Sequence, residues 1–381
     1  MKLKCVLLSD YHPKDILGGG GAIAFEFHEI LLKLGHESRF WFTSTHSSNH
    51  IFERGFRAKT SKMRLVRYSK QVIGTVVSLK IFFALCKERP DVVWVHQIGN
   101  SISHSILWWL RLVDIKTIVT LHDFLVISKT KIGVVDPTHE EISAKFNIDI
   151  SSQFHERLRR SILTKYVNTA CQIFTVSTMQ QQILRSYGIN SLMAIPNGVQ
   201  PCEHKPTESN SQRTQDYNVL FAGRFHRKGL ECLIEGLKNS SDNWKLHIAG
   251  DSQLLAYAEK NLPSNRYVFY GRVSRDQLHL LMHKMDLVSV LSQYFDPYPT
   301  IGLEAIRHGS FFITTSTSGV ATLLEDLEPR LNLKVGEIPN LDVLLSIVRE
   351  LKTSREILMS RIPTQESVAK LYIDQVLGIR G

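Results

Sequence analysis

Asp296 and Glu304 are separated by seven residues in Phe295-Asp-Pro-Tyr-Pro-Thr-Ile-Gly-Leu-Glu-Ala305, just after the apolar run Leu287–Leu291. Pro299 and Thr300 suit a helix start, which turns the first backbone N–H groups, at Thr300, Ile301 and Gly302, toward an anion. Gly302 lets a ligand come close, and Glu304, within the first turn or so, can accept two ribose hydroxyl protons. Asp296, earlier in the loop, would face the group attached to the far phosphate. Isolated acids are ordinarily solvated surface; between a strand end and a helix start these two read as a binding pair.

Gly223-Arg224 closes the apolar run Asn218–Ala222, and Lys228-Gly229 opens the next helical stretch. A planar guanidinium fork, an ammonium and free N–H groups are what a diphosphate needs, with solvated basic surface as the plainer alternative. Gly18-Gly-Gly-Gly21 follows the first strand and precedes a helix, so its backbone can approach an anion; the alternative is a mobile surface loop. The run also fits Gly19-x-Gly21-x-x-Ala24, but it starts about nine residues after the strand. Phe42-Thr43-Ser44 stands where a dinucleotide site needs an acid, which argues against nicotinamide or flavin. His122, in Thr120-Leu-His-Asp123, ends the fourth strand, where an imidazole can bond a substrate hydroxyl or steady a charge; a structural or surface imidazole is the equal alternative.

These residues are positioned by short runs of Val, Ile, Leu and Phe that alternate with stretches of helical period, the pattern of a parallel sheet covered on both faces. Strands are expected at Leu3–Leu8, Arg39–Phe42, Val92–Val95, Thr117–Leu121 and Gln172–Val176, and helices at Ala22–Leu34, Gln71–Cys86, Ile102–Leu112 and Phe154–Asn168. Gln200–Asp216 has two prolines and no large apolar residue. After it the alternation restarts, with strands at Asn218–Ala222, Lys245–Ile248, Tyr267–Tyr270, Leu287–Leu291 and Phe311–Thr314. The chain therefore reads as α/β, with an N-terminal domain at 1–199, a linker at 200–216, a C-terminal domain at 217–362 and a final helix at 363–381 crossing back to the first domain. Ligands of doubly wound sheets bind beyond the carboxyl ends of the strands, so a cleft between two such domains is the expected site.

With 381 residues, 43% hydrophobic and 22% charged, the composition excludes collagenous, disordered and disulfide-scaffold classes. Five scattered cysteines without a C-x-x-C pair argue against a disulfide framework or zinc site and for a reducing compartment. Met1–Asp10 reads as a strand, not a secretory leader, and no apolar stretch reaches the ~20 residues that span a bilayer. The net charge of +10 lies wholly in residues 1–198, which hold 25 Lys+Arg against 15 Asp+Glu; the remainder holds 21 of each. Such a field favours an anionic partner. Cations from Arg54 to Lys70 precede the apolar segment Val72–Cys86, which reads equally as an interfacial patch of a cytoplasmic protein peripheral on the inner face of the cell membrane or as a helix covering the sheet behind a solvated basic loop. No recognised module or aromatic–basic interleaving supports nucleic acid as a partner.

Taken in order, these residues resemble the retaining GT-B glycosyltransferases of glycosyltransferase family 4. Asp296 and Glu304 carry the hallmark spacing. With them stand Gly18–Gly21 leading to "LLKLGHE", "TLHD" at 120–123, "FTVST" at 174–178, "IPNGV" at 195–199, "FAGRFHRKGL" at 221–230 and "LHIAGD" at 246–251. The resemblance implies two Rossmann-like parallel-sheet domains facing across a cleft, the first for acceptor and the second for donor. It implies that Gly19, Gly20, Gly21, Arg224, Lys228, Thr300, Ile301 and Gly302 hold the donor diphosphate, Glu304 the ribose, and Gly271, Arg272 and Val273 the base. Asp296 and His122 would be catalytic, and Asp123 and Asn197 would line the acceptor side. No metal and no cofactor are implied; the donor is a nucleotide-diphosphate sugar, UDP ahead of GDP, and the acceptor a glycan or lipid-linked sugar of cell-envelope or exopolysaccharide synthesis. Three features depart from the pattern: Asp296 where Glu is common, an Arg224-to-Lys228 spacing one residue short, and a single glycine in "TTSTSGV". The first two motivate the alternative of a catalytically impaired nucleotide-sugar or glycan-binding subunit.

Overall fold

The computed structural model describes residues 2–13, 19–44, 49–50, 53–57, 71–128, 133–134, 148–149, 153–200, 217–223, 227–325, 328–351, 359–360 and 362–378. Gly18, Arg224, the linker from 201 to 216 and the cations from Lys59 to Lys70 lie outside the described residues. The backbone divides into two compact units, one of Met1–Lys131, Ile150–Asn197 and Gln365–Gly381, the other of Ile132–Asp149 and Gly198–Thr364. The described residues 133–134 and 148–149, expected within the N-terminal domain at 1–199, group with the second unit.

The strands up to residue 194 are β1 (Lys4–Ser9), β2 (Glu37–Ser44), β3 (Asn49–His50), β4 (Glu53–Arg57), β5 (Val92–Gln97), β6 (Thr117–Leu121), β7 (Gly133–Val134), β8 (Ile148–Asp149), β9 (Gln172–Thr175) and β10 (Leu192–Ala194). In the first unit the sheet runs β10-β9-β6-β5-β1-β2-β4-β3, parallel except for β3 against β4, while β7 and β8, which group with the second unit, form a separate antiparallel pair. Its helices are α1 (Gly20–Lys33), α2 (Val76–Glu88), α3 (Ser105–Leu112), α4 (Phe154–Val167) and α5 (Thr178–Ser186). The chain leaves β1 toward β2 and re-enters at β5 on the other side, so strand order reverses between β1 and β5. Right-handed crossovers then place α1 on one face of the sheet and α2, α3 and α4 on the other. On the α1 face, Phe27 stacks on Trp94 and meets Tyr372 of the C-terminal helix edge-on, at centroid distances of 5.1 and 5.2 Å.

The helix expected at Gln71–Cys86 is interrupted. Gly74 has φ +117°, a conformation that favours glycine, and a Cβ there would lie 2.7 Å from the Trp109 ring. Thr75 then caps α2 by accepting the Ser78 N–H on its hydroxyl. The apolar period had run through this turn unbroken.

The second unit holds β11 (Tyr217–Gly223), β12 (Trp244–Gly250), β13 (Tyr267–Gly271), β14 (Leu287–Val290), β15 (Phe311–Thr315) and β16 (Asn332–Leu333), all parallel in the order β13-β12-β11-β14-β15-β16. The helices are α6 (Leu230–Lys238), α7 (Ser252–Asn261), α8 (Arg275–Met282), α9 (Thr300–Arg307), α10 (Ala321–Glu325), α11 (Leu341–Leu351) and the C-terminal α12 (Gln365–Gly378), which belongs to the first unit. The central strands are covered on both faces, with Leu220, Phe221, Val288 and Phe312 fully buried. Each such side chain contributes about 1.5–3 kcal/mol of burial free energy. Strand order reverses here between β11 and β14, so in both units the ligand-binding position of a doubly wound sheet falls at a defined strand pair.

Candidate active site

Gly229, in the left-handed region at φ +77°, is the N-cap of α6. A Cβ there would fall 2.2 Å from the Leu291 carbonyl oxygen, so only glycine lets this turn close against the end of β14. Lys228 is thereby delivered to the strand-order reversal. Its Nζ lies 2.5 Å from Asp296 Oδ2 and 3.3 Å from Ser292 Oγ, and sits 4.9 Å from the centre of the Tyr294 ring. Ser292 and Tyr294 also donate to Asp296 Oδ2, at 2.9 and 3.3 Å, while Oδ1 accepts no hydrogen bond from the described residues. The backbone of Asp296 is pinned by the loop after β15: its N–H donates to the Thr317 carbonyl and its carbonyl accepts from Gly319. Burial alone would lower the Lys228 pKa, but the neighbouring Asp296 and Tyr294 outweigh it and hold the ammonium above its ordinary value.

α9 begins after Pro299 with no side-chain cap, and the N–H groups of Thr300 and Ile301 meet no acceptor among the described residues. Gly302 has a different role from the one expected. It is buried, and a Cβ would press on the Phe312 ring at 2.9 Å, so its small size serves helix–sheet packing rather than ligand approach. Glu304 is buried too. Its Oε1 accepts from Arg275 at 3.0 Å and Thr300 at 3.1 Å, and its Oε2 lies 3.3 Å from His279 Nε2. Burial would raise its pKa, but the His279 hydrogen bond and the Arg275 charge, aided by Thr300, reverse this and hold the carboxyl down to about 2.

Arg275 and His279 were not foreseen. Ser274 and Gln277 form a capping box at the start of α8, which a Ser-x-x-Gln signal could have revealed, and Arg275 and His279 are then one turn apart on that helix. Gly271, Arg272 and Val273, expected near the base, lead directly into this turn, so Arg275 ties their segment to Glu304. Behind His279, the ring of His308 stacks at 4.3 Å and its Nδ1 lies 3.1 Å from His283 Nε2.

In the first unit, Gly19 caps α1 at φ +78°, and Gly20 and Gly21 open the helix. A Cβ on Gly20 would lie 2.7 Å from His122 Cδ2, and one on Gly21 3.2 Å from the Tyr11 carbonyl oxygen. The glycine run therefore lets the helix start close over the ends of β1 and β6. His122 Nε2 lies 3.0 Å from His96 Nδ1 with the rings stacked, an unforeseen pair from adjacent strand ends. Burial pushes the His122 pKa down to about 4; burial and the facing His122 depress that of His96. Both rings are therefore neutral at pH 7. His122 Nδ1 and His96 Nε2 are buried without a partner among the described residues.

The pocket beneath these rings is lined by His96, Gln97, His104, His122, Asp123 and Leu125. Asp123 partly serves its own turn, accepting the Leu125 N–H at 2.8 Å, and burial raises its pKa. Asn197 is buried beyond β10, with Oδ1 unpartnered among the described residues and no hydrogen bond to the other expected site residues. Asp10, also unforeseen, accepts the N–H groups of Asn100, Ser101 and Ile102, which fixes the turn after β5; burial nonetheless raises its pKa to about 6. Among the described residues no group of three His, Cys, Asp or Glu side chains could hold a metal ion.

Two doubly wound parallel sheets, each with polar groups gathered at its strand-order reversal, define a glycosyltransferase of GT-B fold. Residues 17–202 match the family described as Glycosyltransferase Family 4 and residues 205–356 that described as Glycosyl transferases group 1, and the chain belongs to the family 4 type of these proteins. An uncharacterised glycosyltransferase of Methanocaldococcus jannaschii is 28% identical over 183 residues, 42% of this chain and 47% of that protein. The lipopolysaccharide 1,6-galactosyltransferase of Escherichia coli is 24% identical over 268 residues, 65% of this chain and 74% of that one. The chain spans about half the length of several of the curated relatives it matches, the Methanocaldococcus protein included. The Anabaena protein HepE, solved with UDP and glucose, has the same fold, with a TM-score of 0.68 and 14% identity over 98% of this chain and 99% of that one.

Proposed function

We propose that the protein transfers a sugar from a nucleotide-diphosphate donor, with retention of configuration, to a glycan or lipid-linked acceptor in cell-envelope or exopolysaccharide synthesis. The observation that carries this reading is Glu304, a buried carboxylate kept ionised on α9 and close to two unspent backbone N–H groups. The ribose hydroxyls donate to Glu304, and the segment Gly271–Val273 meets the base. The diphosphate accepts from Lys228, Arg224 and the N–H groups of Thr300 and Ile301. As the bond from the sugar to the phosphate oxygen breaks, negative charge grows on that oxygen, where the ammonium and the helix N-terminus stabilise it without a metal ion. The acceptor oxygen bonds to the same face of the sugar while its proton passes to the departing phosphate, so no protein nucleophile is required. Asp296 Oδ1 takes a sugar hydroxyl, and neutral His122 offers Nδ1 to a hydroxyl at the reacting centre. UDP is favoured over GDP, in keeping with the UDP bound to the Anabaena relative.

The test is thermal stabilisation by UDP, GDP, ADP and dTDP without metal, on wild type and on Glu304→Ala. A nucleotide at 100 times its dissociation constant adds roughly 2.7 kcal/mol of stability. Stabilisation of wild type by one nucleotide and a weaker response of the variant are expected; no response to any of them overturns the donor site. The Lys228–Asp296 pair favours one second reading, a subunit that binds donor but turns it over poorly. Binding without transfer or donor hydrolysis would mark that case.

A further inference from the structure

Helices α2, α3 and α4 lie side by side over one face of the first sheet, with Phe82 of α2 and Trp109 of α3 in ring contact at 5.9 Å. Their inner sides are buried as usual, through Ile81 and Leu85, Ile106 and Leu110, and Leu163 and Val167. Their outer sides are not the polar faces that solvent-facing helices carry. Val76, Leu79 and Phe83 stand exposed along α2 at helical spacing, following exposed Ile73. Trp108 and Leu112 do the same on α3, and Phe154 and Leu158 on α4, with Phe154 80% exposed. Among the described residues, eight of the thirteen exposed large hydrophobics fall on or beside these three helices, so the clustering exceeds ordinary scatter.

The remaining exposed residues on these helices are almost all basic: Lys80 and Lys87 on α2, Arg111 on α3, Arg157 and Lys165 on α4, with His155 and Ser161. No acid is exposed within the three helices, and the exposed Asp114 just past α3 lies 3.7 Å from Arg111. Glu88 is engaged by Lys4 and Arg39, each at 2.9 Å, and Glu156 is buried beside Arg159. The apolar character stops at the neighbouring elements, since α5 exposes Thr178, Gln182, Arg185 and Ser186, and α1 exposes Glu29 and Lys33.

We propose that the outer face of α2, α3 and α4 rests on an anionic lipid bilayer, its apolar side chains entering the headgroup–acyl boundary and its cations meeting lipid phosphates. Interleaved large apolar and basic side chains with few acids match that surface, whereas lysines are depleted in protein–protein interfaces. None of the described helices is long and apolar enough to cross a membrane, so the contact is interfacial. The proposal does not rest on the donor reading: none of these residues belongs to the second unit, and vesicle binding and nucleotide binding fail separately.

The experiment is co-sedimentation of the full chain with phosphatidylcholine vesicles, with and without phosphatidylglycerol, at low and high salt. Two double variants accompany wild type, Phe83→Ser with Trp108→Ser and Lys80→Glu with Arg157→Glu, all at exposed or charged outer positions. Binding that requires phosphatidylglycerol, weakens with salt and drops about fivefold or more in each variant, with unchanged melting temperatures, is the expected result. Absence of vesicle binding, or equal binding by wild type and variants, overturns the proposal. So does light scattering that shows a wild-type dimer converted to monomer by the apolar variant, because a second copy would then cover this face.

Discussion

Lys228 and Asp296, 68 residues apart in the chain, form an ion pair with 2.5 Å between Nζ and Oδ2. The cation assigned to the diphosphate and the acid assigned to the sugar therefore hold one another in place. An ammonium has three N–H donors, and Asp296, Ser292 and the Tyr294 hydroxyl all lie within its reach, so a diphosphate shares the cation with these partners.

Because the pair shares one cation, its two halves respond differently to substitution. Lys228→Ala removes a charge-assisted bond to the diphosphate and is expected to weaken nucleotide diphosphate binding by about tenfold or more, leaving nucleoside binding unchanged. Asp296→Asn releases the ammonium, so nucleotide affinity holds or improves while turnover falls. Calorimetric titration with diphosphate and nucleoside, beside initial rates, reads both; loss of nucleotide affinity in Asp296→Asn would refute the shared-cation account.

Glu304 makes stability depend on pH. Its carboxyl is held at about 2 in the fold against an ordinary 4.5, so its contribution is complete above 4.5 and is lost as the pH falls from there through 2. A shift of this size is worth on the order of 3 kcal/mol at neutral pH. Urea melts at pH 7 and pH 3 are expected to show a larger acid loss for wild type than for Glu304→Gln, and equal losses would contradict the assignment.

His96 constrains the protonation pattern of His122. The 3.0 Å contact between two neutral rings needs one shared proton, so the tautomers are linked: whichever ring donates, the accepting ring carries its own proton on its far nitrogen. His96→Phe is expected to reduce kcat about tenfold with little change in donor KM. A kcat within a factor of two of wild type would dismiss the role. The same depressed His122 pKa, about 4 against 6.5, means its stability contribution is present above 6.5 and lost as the pH falls through 4.

Gly20→Ala puts a methyl group 2.7 Å from the His122 ring. Relief requires the ring or the helix start to move, at about 1–3 kcal/mol of stability. A melting-temperature drop of several degrees and a larger loss of turnover than of nucleotide binding are expected. A variant as active as wild type would mean that the ring moves freely.

Local signals made much of the protein legible. The alternation of apolar runs and helical periods determined the α/β class, because side-chain period depends on near neighbours alone. Asp296 and Glu304 stood out as candidates because strand end, proline, helix start and acid all fall within fifteen residues. The tertiary structure decided what those residues touch. β11 and β14 are distant in sequence and adjacent in the sheet, which is how Lys228 finds Asp296; α8 brings Arg275 and His279 to Glu304; β5 and β6 bring His96 to His122. The same holds for the outer face of α2, α3 and α4: the sequence shows an apolar stretch at Val72–Cys86, but which of its sides is covered depends on packing against elements far away in the chain. Long-range pairing follows strand order and helix placement, and no local period encodes either.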